Sequence, residues 1–361
     1  MNILVIITGL GMGGAERQVI DLVERFSVLG HRVLLVTMTG DIVITPPSKM
    51  VDVVSLNMTK SPQGIIRAYF KIRSLIKCFQ PDIVHSHMVH ANIFSRLVRL
   101  TVTVPKLICT AHSSNEGGLG RMIAYRLTDS LCELTTNVSE DAVSAFIAKK
   151  AVPKNRILAV HNGVDTKKFV FDLGNRIRLR SELKLTDDMV LILAVGRLDV
   201  AKDYPNLLHS FKLLCSTGRD VNLAIIGYGD QYSSLVNVVT ELGLESKVHF
   251  LGLRHNVHEW MSAADVFVLS SAWEGFGLVV AEAMACKRIV VATDCGGVRE
   301  VVNDCGILVP PKDHVALANG IEQVLCMDAN DIETLGLVAR NRVECHYSLN
   351  AQAERWLSLY K

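Results

Sequence analysis

Glu274 and Glu282 stand eight residues apart, and Gly275-Phe276-Gly277-Leu278 lies between them. The apolar run before Ser270-Ser271-Ala272-Trp273 predicts a strand, then a glycine turn holding Glu274, then a helix carrying Glu282. The first N–H groups of such a helix lack intrahelical acceptors, so those of Phe276, Gly277 and Leu278 suit an anion. Carboxylates accept hydrogen bonds from sugar hydroxyls, and amides donate to phosphate. A nucleotide sugar carries both kinds of group in that order. The plainer alternative is that Glu274 caps the helix and Glu282 is a solvated helix residue.

Other strand ends carry compatible chemistry. Val195-Gly196-Arg197-Leu198 closes a strand and Lys202 follows, which places two cations on one loop, as a diphosphate requires. The alternative for that pair is surface salt bridging. Gly227-Tyr228-Gly229 ends the next strand, and Gly296-Gly297 with Glu300 ends a later one. In the first half, Gly9-x-Gly11-x-x-Gly14 matches the dinucleotide fingerprint. The acid that should end the following strand is missing, since that strand closes in Thr37-Met38-Thr39-Gly40 and Asp41 comes late. A better reading has Gly13 and Gly14 admitting a phosphate or sugar to the backbone ahead of a helix N-terminus. No Asp-x-Asp occurs to hold a cation on a diphosphate, so no metal or other cofactor is expected.

These groups need strands that stop at a common edge. Apolar runs over 1–8, 31–38, 51–56, 82–87 and 106–112 alternate with amphipathic stretches over 15–29, 63–79 and 91–100. A looser region follows. A second series then runs over 189–195, 221–226, 247–251, 265–270 and 288–292, with helices over 205–215, 231–242, 256–263 and 277–286. The expected fold class is α/β, with two doubly wound Rossmann-like domains facing a central cleft. Their boundary is expected near 165–188, where the stretch 172–188 is strongly charged. The expected domains are 1–170 for the acceptor and 171–345 for the nucleotide sugar, with a helix over 346–361 packing back toward the first.

Composition narrows the function class. A net charge of +2 excludes bulk nucleic-acid binding. Nine cysteines without CxxC or zinc spacing read as reduced thiols, and the N-terminus lacks a signal-peptide pattern, so a cytoplasmic protein is expected. No apolar run is long enough to cross a membrane. The helix over 63–79 nevertheless mixes Arg67, Lys71, Arg73 and Lys77 with Ile65, Ile66, Tyr69, Phe70, Ile72, Leu75 and Ile76, and Arg96 and Arg99 flank Leu97 and Val98. Such a face can lie on an anionic membrane or be an ordinary solvated surface.

Together the motifs resemble the family 4 retaining glycosyltransferases of the GT-B fold, bacterial surface-polysaccharide enzymes among them. The resemblance spans nearly the whole chain. It rests on Gly13-Gly14-Ala15-Glu16, Pro81-Asp82-Ile83-Val84-His85-Ser86-His87, Thr110-Ala111-His112, Asn162-Gly163-Val164-Asp165, Val195-Gly196-Arg197-Leu198 with Lys202, Gly227-x-Gly229, and Glu274 with Glu282. It implies that Arg197 and Lys202 bind the donor diphosphate, Glu274 the transferred sugar and Glu282 the nucleotide ribose. Amides at 276–278 and at Gly13–Gly14 would close around the donor, and His112 would stand near the anomeric carbon. UDP is the base it suggests most, and a lipid-linked glycan at the inner membrane face the acceptor, as in O-antigen or lipopolysaccharide assembly. Where members often have Gly after the lysine, this chain has Asp203, a carboxylate expected to temper Lys202. An epimerase of the same fold and a non-catalytic nucleotide-sugar-binding protein are the alternatives. The intact Arg197, Lys202, His112 and Glu274 speak against the second.

Overall fold

The computed structural model describes residues 1–114 and 116–361. Its first strand, β1 (Asn2–Ile7), is apolar on both sides because helices cover both sides. Ile3, Val5 and Ile7 join Val19, Val23 and Phe26 in one core, while Leu4 and Ile6 join Ala68, Ile72 and Ile76 in another. The chain continues through α1 (Gly14–Val28), β2 (Arg32–Thr37), β3 (Val51–Ser55), α2 (Pro62–Phe79), β4 (Ile83–His87), α3 (Val89–Val98) and β5 (Leu107–Thr110). It then adds α4 (Leu119–Thr128), β6 (Leu134–Asn137), α5 (Glu140–Ala148) and β7 (Ile157–Ala159). The region expected to be loose thus completes the sheet. Seven parallel strands run in the order β3-β2-β1-β4-β5-β6-β7.

The second series begins earlier than its first strand. The charged stretch expected as a boundary contains α6 (Leu173–Glu182), capped by Asp172, whose Oδ1 accepts the Asn175 N–H at 2.6 Å. Arg180 is 2% exposed, and its guanidinium donates to Asp265 Oδ2 at 3.0 Å and to the Thr186 carbonyl at 2.7 Å. Arg176 reaches Asp265 Oδ1 at 2.6 Å. The charges that read as linker are the ones that dock the helix. Next come β8 (Val190–Val195), α7 (Tyr204–Cys215), β9 (Val221–Ile226), α8 (Tyr232–Glu241), β10 (Val248–Gly252), α9 (Val257–Ala263) and β11 (Val266–Leu269). The series closes with α10 (Leu278–Ala285), β12 (Ile289–Thr293), α11 (Val298–Val302), β13 (Ile307–Val309), α12 (His314–Leu325) and α13 (Ala329–His346). Its six strands are parallel, in the order β10-β9-β8-β11-β12-β13.

The chain divides into two units. One holds Met1–Gly163 and Leu349–Lys361, the other Val164–Ser348. Residues 164–170, expected with the first domain, lie in the second unit. There Arg340 of α13 donates to the carbonyls of Thr166 at 3.2 Å and Phe169 at 3.1 Å. The last helix, α14 (Leu349–Tyr360), belongs to the first unit, where Trp356 and Tyr360 complete the core around Phe26. Among the described residues, no helix is long and apolar enough to cross a membrane.

Candidate functional site

In the second sheet, β8 lies between β9 and β11, so the helices that follow β8 and β11 pass to opposite faces. Loops leaving such neighbours diverge, and the crevice at the strand ends is where ligands of open α/β sheets bind. Lys202, on the loop after β8, makes an ion pair there with Glu274, on the loop after β11. The same carboxylate oxygen accepts the Ser271 hydroxyl at 2.8 Å. The two loops are stitched together by backbone. Ala272 N–H donates to the Ala201 carbonyl at 2.8 Å, and Ser270 Oγ donates to the Lys202 carbonyl at 2.8 Å. Thr293, ending β12, donates its hydroxyl to the Ser271 carbonyl at 2.6 Å.

Two glycines let further loops close onto this frame. Gly296 has φ +55°, and a Cβ there would sit 2.0 Å from the Glu274 carbonyl oxygen. At Gly227 a Cβ would fall 1.8 Å from the Gly196 carbonyl oxygen. The loop after β9 therefore lies directly on the loop after β8, with Leu198 N–H bonded to the Tyr228 carbonyl at 2.9 Å. Tyr204 underpins both by donating its hydroxyl to the Gly196 carbonyl at 3.1 Å. Burial, helped by the charges of Asp199 and Glu274, keeps that phenol protonated well above its ordinary range.

The first unit has its own strand-order reversal between β1 and β4. The glycine loop follows β1, and His87 ends β4. His112 stands just beyond β5, half-buried, with its Nε2 3.1 Å from His87 Nδ1. His85, two residues back on β4, is held at both nitrogens, by the Tyr360 hydroxyl at 2.6 Å and by Thr110 Oγ1 at 2.7 Å. Loss of hydration lowers the pKa of His112 to about 4 and that of His85 to about 3, the latter with help from His112. Burial first, then the neighbouring rings, push His87 well below its ordinary value. All three rings are therefore neutral near pH 7. Glu116 Oε1 accepts the His112 N–H at 2.8 Å and its Oε2 the Val89 N–H at 3.0 Å. Burial raises its pKa, against the pull of those two bonds.

Two family models match this chain. Residues 12–168 match "Glycosyltransferase Family 4", and residues 175–335 match "Glycosyl transferases group 1". The chain belongs to glycosyltransferase family 4. A glycosyltransferase of Methanocaldococcus jannaschii is 26% identical, covering 97% of this chain and 94% of that protein. The N-acetylgalactosamine-N,N'-diacetylbacillosaminyl-diphospho-undecaprenol 4-alpha-N-acetylgalactosaminyltransferase of Campylobacter jejuni is also 26% identical, covering 89% of each. Anabaena HepE, solved in complex with UDP, superposes with a TM-score of 0.86 at 22% identity, covering 99% of both chains. The fold is GT-B, built from two parallel, Rossmann-like sheets.

The glycosyltransferase gathers most of its expected donor residues on the second unit. Arg197 is exposed on the Lys202 loop. Gly277, with φ +83°, precedes the first turn of α10, which Leu278 begins, and Phe276 is buried with its ring 5.5 Å from that of Tyr347. Glu282 lies in the second turn of α10 and is 8% exposed. Gly227 has a packing reason of its own, given above. Lys202 is ion-paired with Glu274, and Asp203, the carboxylate next to it in sequence, takes a left-handed conformation (φ +46°) ahead of α7. Gly13, Gly14 and His112 lie on the first unit. Gly14 is exposed, and a Cβ there would meet nothing within 4 Å, so local packing does not demand a glycine.

Sequence reasoning missed Ser271, Tyr204, Gly296's contact with Glu274, Glu116 and His87 as parts of the site. His87 stood in a quoted motif, but its link to His112 is visible only in three dimensions. The basic surface also needs correcting. Arg96 is fully buried, donating to Thr135 Oγ1 at 2.6 Å and to the Tyr125 carbonyl at 3.1 Å, and Arg99 is paired with Glu133. The exposed face is that of α2, where Ile65, Ile66 and Phe70 stand in solvent beside Arg67 and Lys71.

Proposed function

We propose that this glycosyltransferase moves a hexose or N-acetylhexosamine from a UDP-sugar to a lipid-linked glycan, with retention at the anomeric carbon. The Lys202–Glu274 pair at the strand-order reversal carries the reading, because it sets a cation and a hydroxyl-binding carboxylate side by side. Lys202 and Arg197 would take the diphosphate. Glu274 would turn to the sugar hydroxyls and Glu282 to the ribose, with the amides at 276–278 on the phosphates; on the first unit, the amides of Gly13–Gly14 would suit a phosphate or sugar. His112 would stand at the anomeric carbon.

In this reading the bond from the anomeric carbon to the phosphate oxygen breaks as the acceptor oxygen bonds on the same face. The acceptor proton passes to the departing phosphate oxygen. The charge left on the diphosphate meets Lys202, Arg197 and helix amides, so no divalent cation is needed. UDP is favoured because Anabaena HepE was solved with it. A lipid-linked acceptor is favoured because the Campylobacter relative's name includes diphospho-undecaprenol, and because α2 offers an apolar and basic face to an anionic membrane. Such an enzyme would work in the cytoplasm, at the inner membrane face, in surface-polysaccharide assembly.

A thermal-shift panel of UDP-, GDP- and ADP-sugars tests the donor, since a ligand at about 100 times its Kd stabilises by roughly 2.7 kcal/mol. No shift with any of them refutes the site. The anomeric proton coupling of the product reads retention, and turnover that disappears in EDTA overturns metal independence. Flotation with vesicles containing phosphatidylglycerol tests the membrane face, and no binding at low salt removes it.

A further inference from the structure

The reading above assigns His112 a place at the reacting centre but leaves open what fixes its ring. Imidazole has two nitrogens, and a neutral ring has one donor and one acceptor. Which nitrogen faces a substrate is set by what holds the other. In this chain Nε2 of His112 is 3.1 Å from His87 Nδ1, within hydrogen-bond reach, and the ring centroids are 5.3 Å apart. His87 is only 2% exposed. It is wedged against His85, whose ring centroid is 4.0 Å away. His85 is itself pinned at both nitrogens, by Tyr360 and Thr110, and Thr110 is pinned in turn by Thr136 at 2.7 Å. The backbone at His112 is fixed separately by Glu116. A hydrogen-bonded His85 thus packs against His87, whose own hydrogen bond ends on one nitrogen of a half-buried ring.

We propose that His87 is a positioning residue, which holds Nε2 of His112 and so leaves Nδ1 as the nitrogen presented to the substrate. This rests on the assignment of His112 to the reacting centre. His87 does not touch substrate; it acts by selecting one tautomer and one ring orientation of its neighbour. The two rings cannot both offer a proton to the same bond. While the bond stands, the two tautomers are therefore linked: when His87 Nδ1 donates, the proton of His112 is on Nδ1, and when it accepts, that proton is on Nε2.

The replacements that test this follow from the atom used. Asparagine keeps a polar atom at about the position of a histidine Nδ1, and leucine keeps bulk without it. In protein labelled with ¹⁵N-histidine, the His112 ring, assigned by its loss in His112→Ala, should show a single neutral tautomer. It should do so in the wild type and in His87→Asn, and show a mixture in His87→Leu. Turnover should be read as nucleoside diphosphate release from whichever of UDP-, GDP- or ADP-glucose stabilises the protein most. In His87→Leu, kcat should fall about 10- to 100-fold with donor KM little changed, as expected when a reacting group is misplaced but the donor site is intact. His87→Asn should recover most of that loss. An unchanged His112 tautomer and unchanged kcat in His87→Leu, with His112→Ala inactive, overturn the role of His87 alone. Full turnover in His112→Ala overturns the assignment of His112 and this proposal with it.

Discussion

Replacing Glu274 with glutamine should have opposite effects on two measurements. The carboxylate now occupies Lys202, with the two side chains 13% and 20% exposed. Unit charges about 4 Å apart attract by about 4 kcal/mol at an effective dielectric near 20. Fully exposed pairs measure no more than about 1 kcal/mol. This pair lies between those limits, and a diphosphate arriving at Lys202 must displace the carboxylate from it. Removing the negative charge should therefore favour a bare nucleoside diphosphate by roughly 1.4 kcal/mol, or about tenfold in Kd. In the role proposed for Glu274, glutamine also weakens the acceptor offered to the sugar hydroxyls. Turnover should fall by about two orders of magnitude or more if that contact strengthens in the transition state.

Titration calorimetry with UDP reads the first effect, and UDP release from the stabilising donor reads the second. The gain in UDP affinity should disappear in Lys202→Ala/Glu274→Gln measured against Lys202→Ala, because the coupling runs through the lysine. Unchanged or weaker UDP binding by Glu274→Gln would refute the competition argument. It would mean that Glu274 chiefly holds Lys202 in place.

Gly296→Ala should misplace Glu274, since the new Cβ would sit 2.0 Å from its carbonyl in a left-handed conformation. Turnover lower by about 10²-fold with a folded circular dichroism spectrum is expected, and near-normal turnover contradicts it. Asp265→Ala strands Arg176 and the buried Arg180, so urea unfolding should show a loss of about 3 kcal/mol. A loss below about 1 kcal/mol would place the docking energy of α6 elsewhere. Acid should destabilise the first unit through His85, His87 and His112, whose folded pKa values lie below the unfolded value of 6.5. Below that pH the unfolded chain takes up protons that the native one refuses. Stability is then lost by up to about 1.4 kcal/mol per pH unit for each ring, or about 4 for the three, as pH falls from 6.5 toward 4. Glu116, raised by burial, opposes this weakly at the acid end. A Tm that stays flat between pH 6.5 and 5 refutes the neutral cluster.

Strands buried on both faces are legible because their sequence is nearly all apolar, as in β1 and β8. β6 breaks that rule, and its sequence does not announce a strand. Its Thr135, Thr136 and Asn137 are fully buried, yet they satisfy Arg96, Thr110 and the carbonyl of Ser113 rather than packing as hydrophobes. The charged helix α6 reads as a linker for a related reason, since its arginines are matched by Asp265 more than eighty residues away. The chemistry of Lys202 and Glu274 was readable from residue type and strand-end position, but their pairing spans 72 positions. The expected partner, Asp203, was simply the nearest carboxylate in the chain. The histidines show the same limit. Burial makes an unpaired polar group costly, so His85, Thr110 and Tyr360 must bond one another across distant segments. Residue type announces that such a group needs a partner, and only the fold decides which one. Lys202 and Glu274 meet at the strand-order reversal of the second sheet, the position that topology alone marks for ligands, whereas Asp265 precedes β11 and Thr135 lies on β6, away from either reversal.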